Sequence, residues 1–165
     1  MKDRMEEINK QWTSAMNLNN VIRNNLPPEF PEIVTLCGST RFMDAYTKEM
    51  RRLTLEGKIV ISVGMFGHQE GLDMASETKV MLNELHKRKI DLSDRIHVIN
   101  PRVWVCYVCK KPCEFGSNWG RYSSCCSSSV SCGSYIGSST RSEIEYATAN
   151  GKQITYMEPI ENQSV

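Results

Sequence analysis

A carboxylic acid a few residues behind a glycine and a run of hydroxyl side chains is a pattern with chemical potential. The segment Gly137-Ser138-Ser139-Thr140-Arg141-Ser142-Glu143-Ile144-Glu145-Tyr146-Ala147 has that form. Gly137 permits a tight turn, and Ser138, Ser139 and Thr140 are each able to cap a helix. Glu143 would then sit one turn inside the helix, where backbone N–H groups and the positive end of the dipole keep a carboxylate ionised. An ionised carboxylate at the mouth of an α/β sheet is a candidate nucleophile. The same spacing also reads as a capping box, Thr140 with Glu143, whose only task is to start a helix.

Sulfur is the second concentration of reactive chemistry. Cys37 stands alone in an apolar stretch and reads as a small buried residue. The other six cysteines, Cys106, Cys109, Cys113, Cys125, Cys126 and Cys132, fall inside 27 residues. Outside an oxidising compartment such clustering points to metal before disulfides, with Cys106, Cys109, Cys125 and Cys132 as candidate zinc ligands. The spacing between Cys106 and Cys109 suits a zinc knuckle, but the second half lacks a CxxC pair. Ser123-Ser124-Cys125-Cys126-Ser127-Ser128-Ser129 is low in complexity, which favours a mobile, metal-free segment. No cofactor is otherwise expected.

Positioning these groups requires a scaffold, and its pieces are legible along the chain. Residues 1–31 form an N-terminal arm, with a polar helix over about Asp3–Leu18 carrying Met5, Ile8, Trp12 and Met16 at helical spacing. Asn24 to Pro28 breaks it. Ile33–Cys37 is a short apolar run suited to a buried parallel strand, and Gly38-Ser39-Thr40 is the turn after it. A helix follows from about Arg41 to Glu56, with Phe42, Ala45, Tyr46, Met50 and Leu53 as its apolar stripe and Gly57 as its stop. Lys58–Val63 is the next strand, and Gly64–Ala75 is a loop containing His68 and Glu70. Ser76 caps a helix to about Lys89, with Val80, Met81, Leu85 and His86 facing inward, and Arg95–Asn100 is a third strand.

The regular pattern stops at Pro101 and resumes at Gly133, so residues 101–132 read as an insertion in a domain that spans 32–158. A helix to about Asn150, a stop at Gly151, the strand Gln153–Met157 and a tail over 159–165 complete the chain. Alternation of this kind predicts an α/β fold, an open, mostly parallel sheet with helices on both faces. Ligands bind such sheets at the carboxyl ends of the strands. The 37–41 turn, the 64–73 loop and the segment before Glu143 would share that face.

Composition narrows the function classes. A net charge of +1 and a pI near 7.6 give no electrostatic case for nucleic acid. No apolar run approaches a membrane span, and Met1–Glu7 is charged and lacks the apolar core of a signal peptide. The expectation is a cytoplasmic protein with neither nucleic acid nor membrane as partner.

Four segments in order then resemble one family. They are Leu36-Cys37-Gly38-Ser39-Thr40-Arg41-Phe42, Gly67-His68-Gln69-Glu70-Gly71, Lys89-Ile90-Asp91-Leu92-Ser93-Asp94, and Tyr135-Ile136-Gly137 through Tyr146-Ala147. Together, over about residues 32–100 and 133–158, they resemble the nucleoside 2-deoxyribosyltransferase-like family, which includes deoxynucleoside 5-phosphate N-hydrolases. The resemblance implies a flavodoxin-like (Rossmann-like) sheet and an enzyme that cleaves or exchanges the N-glycosidic bond of nucleosides or their 5-phosphates. It implies Glu143 as nucleophile, Asp91 as the acid assisting the departing base, and Gly38, Ser39, Thr40, Arg41 and Ser139 around the sugar or phosphate. It also implies a homo-oligomer. Glu145 stands where such transferases often have Gly. Two other readings compete: a nucleotide-binding module without turnover, and an interaction protein whose Cys-rich insert binds zinc and forms the contact surface.

Overall fold

The structure, a computed structural model, describes residues 21, 25–66, 76–106, 112–113 and 130–159. The arm helix at 3–18, the His68–Glu70 loop, Cys109, Cys125 and the last residues of the tail lie outside the described residues.

The elements run β1 (Ile33–Gly38), α1 (Met43–Leu55), β2 (Ile59–Ile61), α2 (Ser76–Leu92), β3 (Arg95–Ile99), β4 (Arg102–Cys106), β5 (Pro112–Cys113), β6 (Val130–Ser134), α3 (Ser138–Ala149) and β7 (Gln153–Tyr156). Four strands form a fully parallel sheet in the order β2-β1-β3-β7. The register sets Val34 beside Val60 on one side and beside Arg95 on the other, and Ile96 beside Ile154.

Alternation along the central strands sorts the core into two layers. Val34, Leu36 and Ile99 pack against Tyr46 and Leu53 of α1. Cys37, Ile96 and Val98 pack on the opposite face against Ile90 of α2 and Ala147 of α3. Helices therefore cover both faces, as expected of a parallel sheet. Both α1 and α3 end in the same way, with Gly57 and Gly151 at φ 78° and 66°. At each end two backbone bonds reach back to close the last turn, Lys58 to Leu53 and Gly57 to Thr54, then Lys152 to Ala147 and Gly151 to Thr148.

Two helix faces differ from expectation. In α1 the inward positions are Tyr46, Glu49 and Leu53, while Met50 is exposed. Glu49 is tolerated there because Arg52 and His97 both bond to its Oε2, at 2.7 and 3.0 Å. In α2, Val80, Met81 and Leu85 are exposed, whereas His86 is buried as expected and packs the helix inward together with Ile90. A rotation of the expected stripe by about one residue changes which face is buried.

Regular structure also continues past Pro101. β4 pairs antiparallel with β6 and β5 in a separate three-stranded sheet, Arg102 opposite Ser134 and Cys106 opposite Val130. Val103-Trp104-Val105 is rich in strand-forming types, which accounts for the stem. The two ends of the insertion meet where Tyr135 N–H bonds the Pro101 carbonyl at 3.2 Å.

No helix among the described residues is long and apolar enough to cross a membrane.

Candidate active site

In the order β2-β1-β3-β7 the chain moves from β1 outward to β2, then crosses back over β1 to β3. Connections on either side of that reversal diverge and leave a crevice at the carboxyl ends of β1 and β3. Gly38 lies at its floor. A Cβ there would lie 2.8 Å from both the Cβ and the carbonyl oxygen of Ile99, so only glycine lets the strands approach this closely. The Tyr46 hydroxyl donates to the Gly38 carbonyl at 2.8 Å and fixes the turn.

Above this floor is a cavity of about 280 Å³, close to the small end of small-molecule sites. Its walls are the Gly38–Arg41 turn, Val63 and Met65 after β2, one face of α2, and Gly137–Thr140 with Glu143 from α3. Gly38, Ser39, Thr40, Arg41, Ser139 and Glu143 thus line one space although they come from two distant stretches of sequence. The Arg41 guanidinium lies 3.5 Å from the Tyr135 hydroxyl, and Phe42 packs edge-on against the Tyr135 ring at 5.7 Å.

The start of α3 differs from the expected cap. Gly137 is the N-cap residue, in extended conformation, and no side chain caps the helix. Thr140 and Glu143 therefore do not form a capping box. The first helical N–H groups border the cavity with no side-chain partner from the cap, an arrangement suited to an anion.

Glu143 lies in the second turn, 9% exposed, with no acidic partner in the first turn. Its Oε1 is 3.8 Å from His86 Nε2, and its Oε2 is buried with no hydrogen-bond partner. Burial pushes its pKa up to about 8, against the smaller lowering effects of the Cys37 thiol and the Lys87 charge. The expectation that the helix start holds this carboxyl ionised is thereby corrected, because desolvation outweighs the dipole two turns in. His86 is driven the other way, down to about 4, by burial and by the Lys89 charge. Cys37 Sγ lies 3.6 Å from His86 Nε2, and burial together with Glu143 pushes the thiol well above its usual range. All three groups are held in their neutral forms.

Asp91 is placed elsewhere. α2 runs antiparallel to the strands, so its last turn lies at their amino ends. There Asp91 Oδ1 accepts from the Tyr146 hydroxyl at 2.8 Å, and the Asp91 carbonyl accepts from Lys152, the residue before β7. Arg88 lies 3.1 Å from Oδ2, close enough to compensate its charge but not aligned as a hydrogen bond. Asp91 does not line the cavity.

Sequence reasoning missed the wall contributed by α2. Lys79, Asn83, His86 and Lys89 line the cavity at intervals of three and four, a polar stripe at helical spacing that apolar periodicity does not detect. Lys89 Nζ donates to the Ser62 and Val63 carbonyls at 2.8 and 2.9 Å, and burial lowers its pKa.

Of the expected zinc ligands, Cys106 and Cys132 lie on the paired strands β4 and β6, with Cys132 opposite Trp104. Among the described residues the group able to hold a metal is a different one, Cys37, His86 and Glu143. No protein-family model matches the chain, and no curated protein or solved structure matches it significantly.

Proposed function

We propose that this protein is a cytoplasmic enzyme with a flavodoxin-like fold that cleaves or exchanges the N-glycosidic bond of a nucleoside or nucleoside 5-phosphate, with Glu143 as nucleophile. The observation that carries this reading is a buried carboxyl with one unpartnered oxygen, on a cavity at the switch point of a parallel sheet.

In the reaction, a Glu143 oxygen attacks C1′ of the sugar while the C1′–N bond breaks and its electron pair leaves with the base. Water or an acceptor base then attacks C1′ and returns the carboxylate. The transition state resembles an oxocarbenium ion, and a buried anion interacts with that positive charge far more strongly than a solvated one. The desolvation that raises the Glu143 pKa is therefore offset as the sugar becomes cationic. Binding energy appears where it accelerates the reaction rather than where it holds the substrate.

The departing base needs a proton. Asp91, at the amino ends of the strands, is left out of this step. Lys89 lines the cavity, and burial makes its ammonium a readier acid. Arg41 and the open N–H groups of α3 suit a 5-phosphate.

The test is incubation of the chelator-treated protein with deoxynucleosides and their 5-monophosphates, with and without an acceptor base. Free base without acceptor identifies a hydrolase, and exchange only with acceptor identifies a transferase. Ligand binding without release of base from any substrate would mark a binding module and overturn the reading.

A further inference from the structure

Cys37 comes from the end of β1, His86 from α2 and Glu143 from the second turn of α3, so packing of three elements alone brings them together. Their sulfur, nitrogen and oxygen donor atoms all lie within 4.8 Å of one another, and all three residues are buried. Hydrogen bonding satisfies this group only in part: the Cys37 thiol contacts His86 and Glu143, but Glu143 Oε2 has no partner, and Oε1 stands 3.8 Å from His86 Nε2, beyond bonding reach.

The separations suit a different occupant. A tetrahedral zinc with Zn–S of about 2.3 Å and Zn–N of about 2.0 Å sets sulfur and nitrogen about 3.6 Å apart. Cys37 Sγ and His86 Nε2 are 3.6 Å apart. The matching nitrogen–oxygen edge is about 3.3 Å, so the 3.8 Å between His86 Nε2 and Glu143 Oε1 needs only a small closing movement. The donor set also discriminates. One thiolate, one imidazole and one carboxylate fit zinc, whereas magnesium and calcium require a shell of oxygens. A hydrogen bond between His86 and the Leu36 backbone is the kind of outer contact that orients a metal-binding imidazole.

We propose that Cys37, His86 and Glu143 bind a zinc ion, whose fourth position opens on the cavity that His86 and Glu143 line. Coordination through one Glu143 oxygen draws negative charge from the whole carboxylate and weakens the other oxygen as a nucleophile, so zinc binding and glycosyl transfer exclude one another. The exclusion rests on the functional reading above; the binding site does not.

Cobalt titration of the reduced, metal-free full-length protein under anaerobic conditions tests the site, because tetrahedral thiolate-bound cobalt absorbs in the visible and shows a sulfur-to-metal band in the near ultraviolet. The wild type is expected to bind one equivalent more than Cys37→Ser or His86→Ala, and zinc is expected to displace it. A second variant with serine at all six cysteines of the insertion separates that region: one equivalent should remain, with the intensity of a single thiolate. Should that variant fail to fold by circular dichroism, the two single substitutions in the wild-type background still decide. Equal cobalt binding and equal near-ultraviolet absorption in wild type, Cys37→Ser and His86→Ala overturns the site. For the exclusion, one equivalent of zinc is expected to abolish base release and a chelator to restore it, and activity that increases with zinc overturns it. Protein that binds cobalt as described yet releases no base under chelation sinks the functional reading alone.

Discussion

Glu143 Oε1 faces His86 Nε2 at 3.8 Å, yet the two do not form an ion pair, because burial drives the acid to about 8 and the base to about 4. Charge separation between them would place two ions in a poorly solvated space without a compensating hydrogen bond.

Activity in chelator should therefore rise with pH. The free enzyme must lose the Glu143 proton to attack, so kcat/KM is expected to climb through about pH 8. It should fall again at higher pH as the Lys89 ammonium, whose pKa burial lowers, loses its proton. Glu143→Gln should lower kcat/KM by about 10³-fold or more above about pH 8, where the wild-type carboxyl is ionised, and by less at lower pH. A profile already flat from pH 6 upward, or a fully active Gln variant, removes Glu143 from the nucleophile's role.

Stability carries the opposite slope. Glu143 titrates near 4.5 when exposed and near about 8 when folded, so between those values the fold keeps a proton the unfolded chain has lost, and stability falls as pH rises. His86 moves from 6.5 to about 4, so there the unfolded chain holds the extra proton and stability rises with pH. The two slopes offset one another up to about pH 6.5, and above that only the Glu143 slope remains. His97, whose pKa burial also lowers, adds a second rising slope below that pH, so the melting midpoint should rise toward about pH 6.5 and decline from there toward pH 8. Glu143→Gln should remove the decline, and calorimetry across this range checks it.

Asp91→Asn separates structure from chemistry. The residue anchors Tyr146 and faces Arg88 at the amino ends of the strands. The substitution should cost about 1–3 kcal/mol in urea unfolding and leave kcat within a few-fold of wild type. A loss of about 100-fold or more in kcat with folding intact would return Asp91 to the reaction.

Lys89→Met should slow base release by about 10²–10⁴-fold if its ammonium protonates the leaving group. The loss should be largest for bases that leave poorly and smallest for those that leave well. A merely structural lysine, holding the Ser62 and Val63 carbonyls, would lower all substrates equally.

Among the described residues, the four parallel strands and the three helices packed on them were legible because apolar runs such as Ile33–Cys37 and Arg95–Asn100 are bounded by turns and by glycine stops. The residues along one wall were legible too, since the 38–41 turn follows β1 and the 137–140 segment follows β3 across the insertion. What escaped depends on neighbours far apart in the chain. The ionisation of Glu143 is set by how deeply Cys37 and His86 enclose it, and no local spacing encodes that. Val80, Met81 and Leu85 suggested the buried face of α2, but the helix is rotated by the polar contacts of His86 and Lys89. The strands β4 and β6 were hidden because their partners lie across an insertion whose composition discourages regular structure.

That ribbon leaves and re-enters the domain through a single closed doorway, Pro101 bonded to Tyr135. Its strands form a sheet of their own and add nothing to the parallel one. The fold therefore has a loading port at the rim of its crevice, where chain of any length can be exchanged without rethreading the layers beneath it.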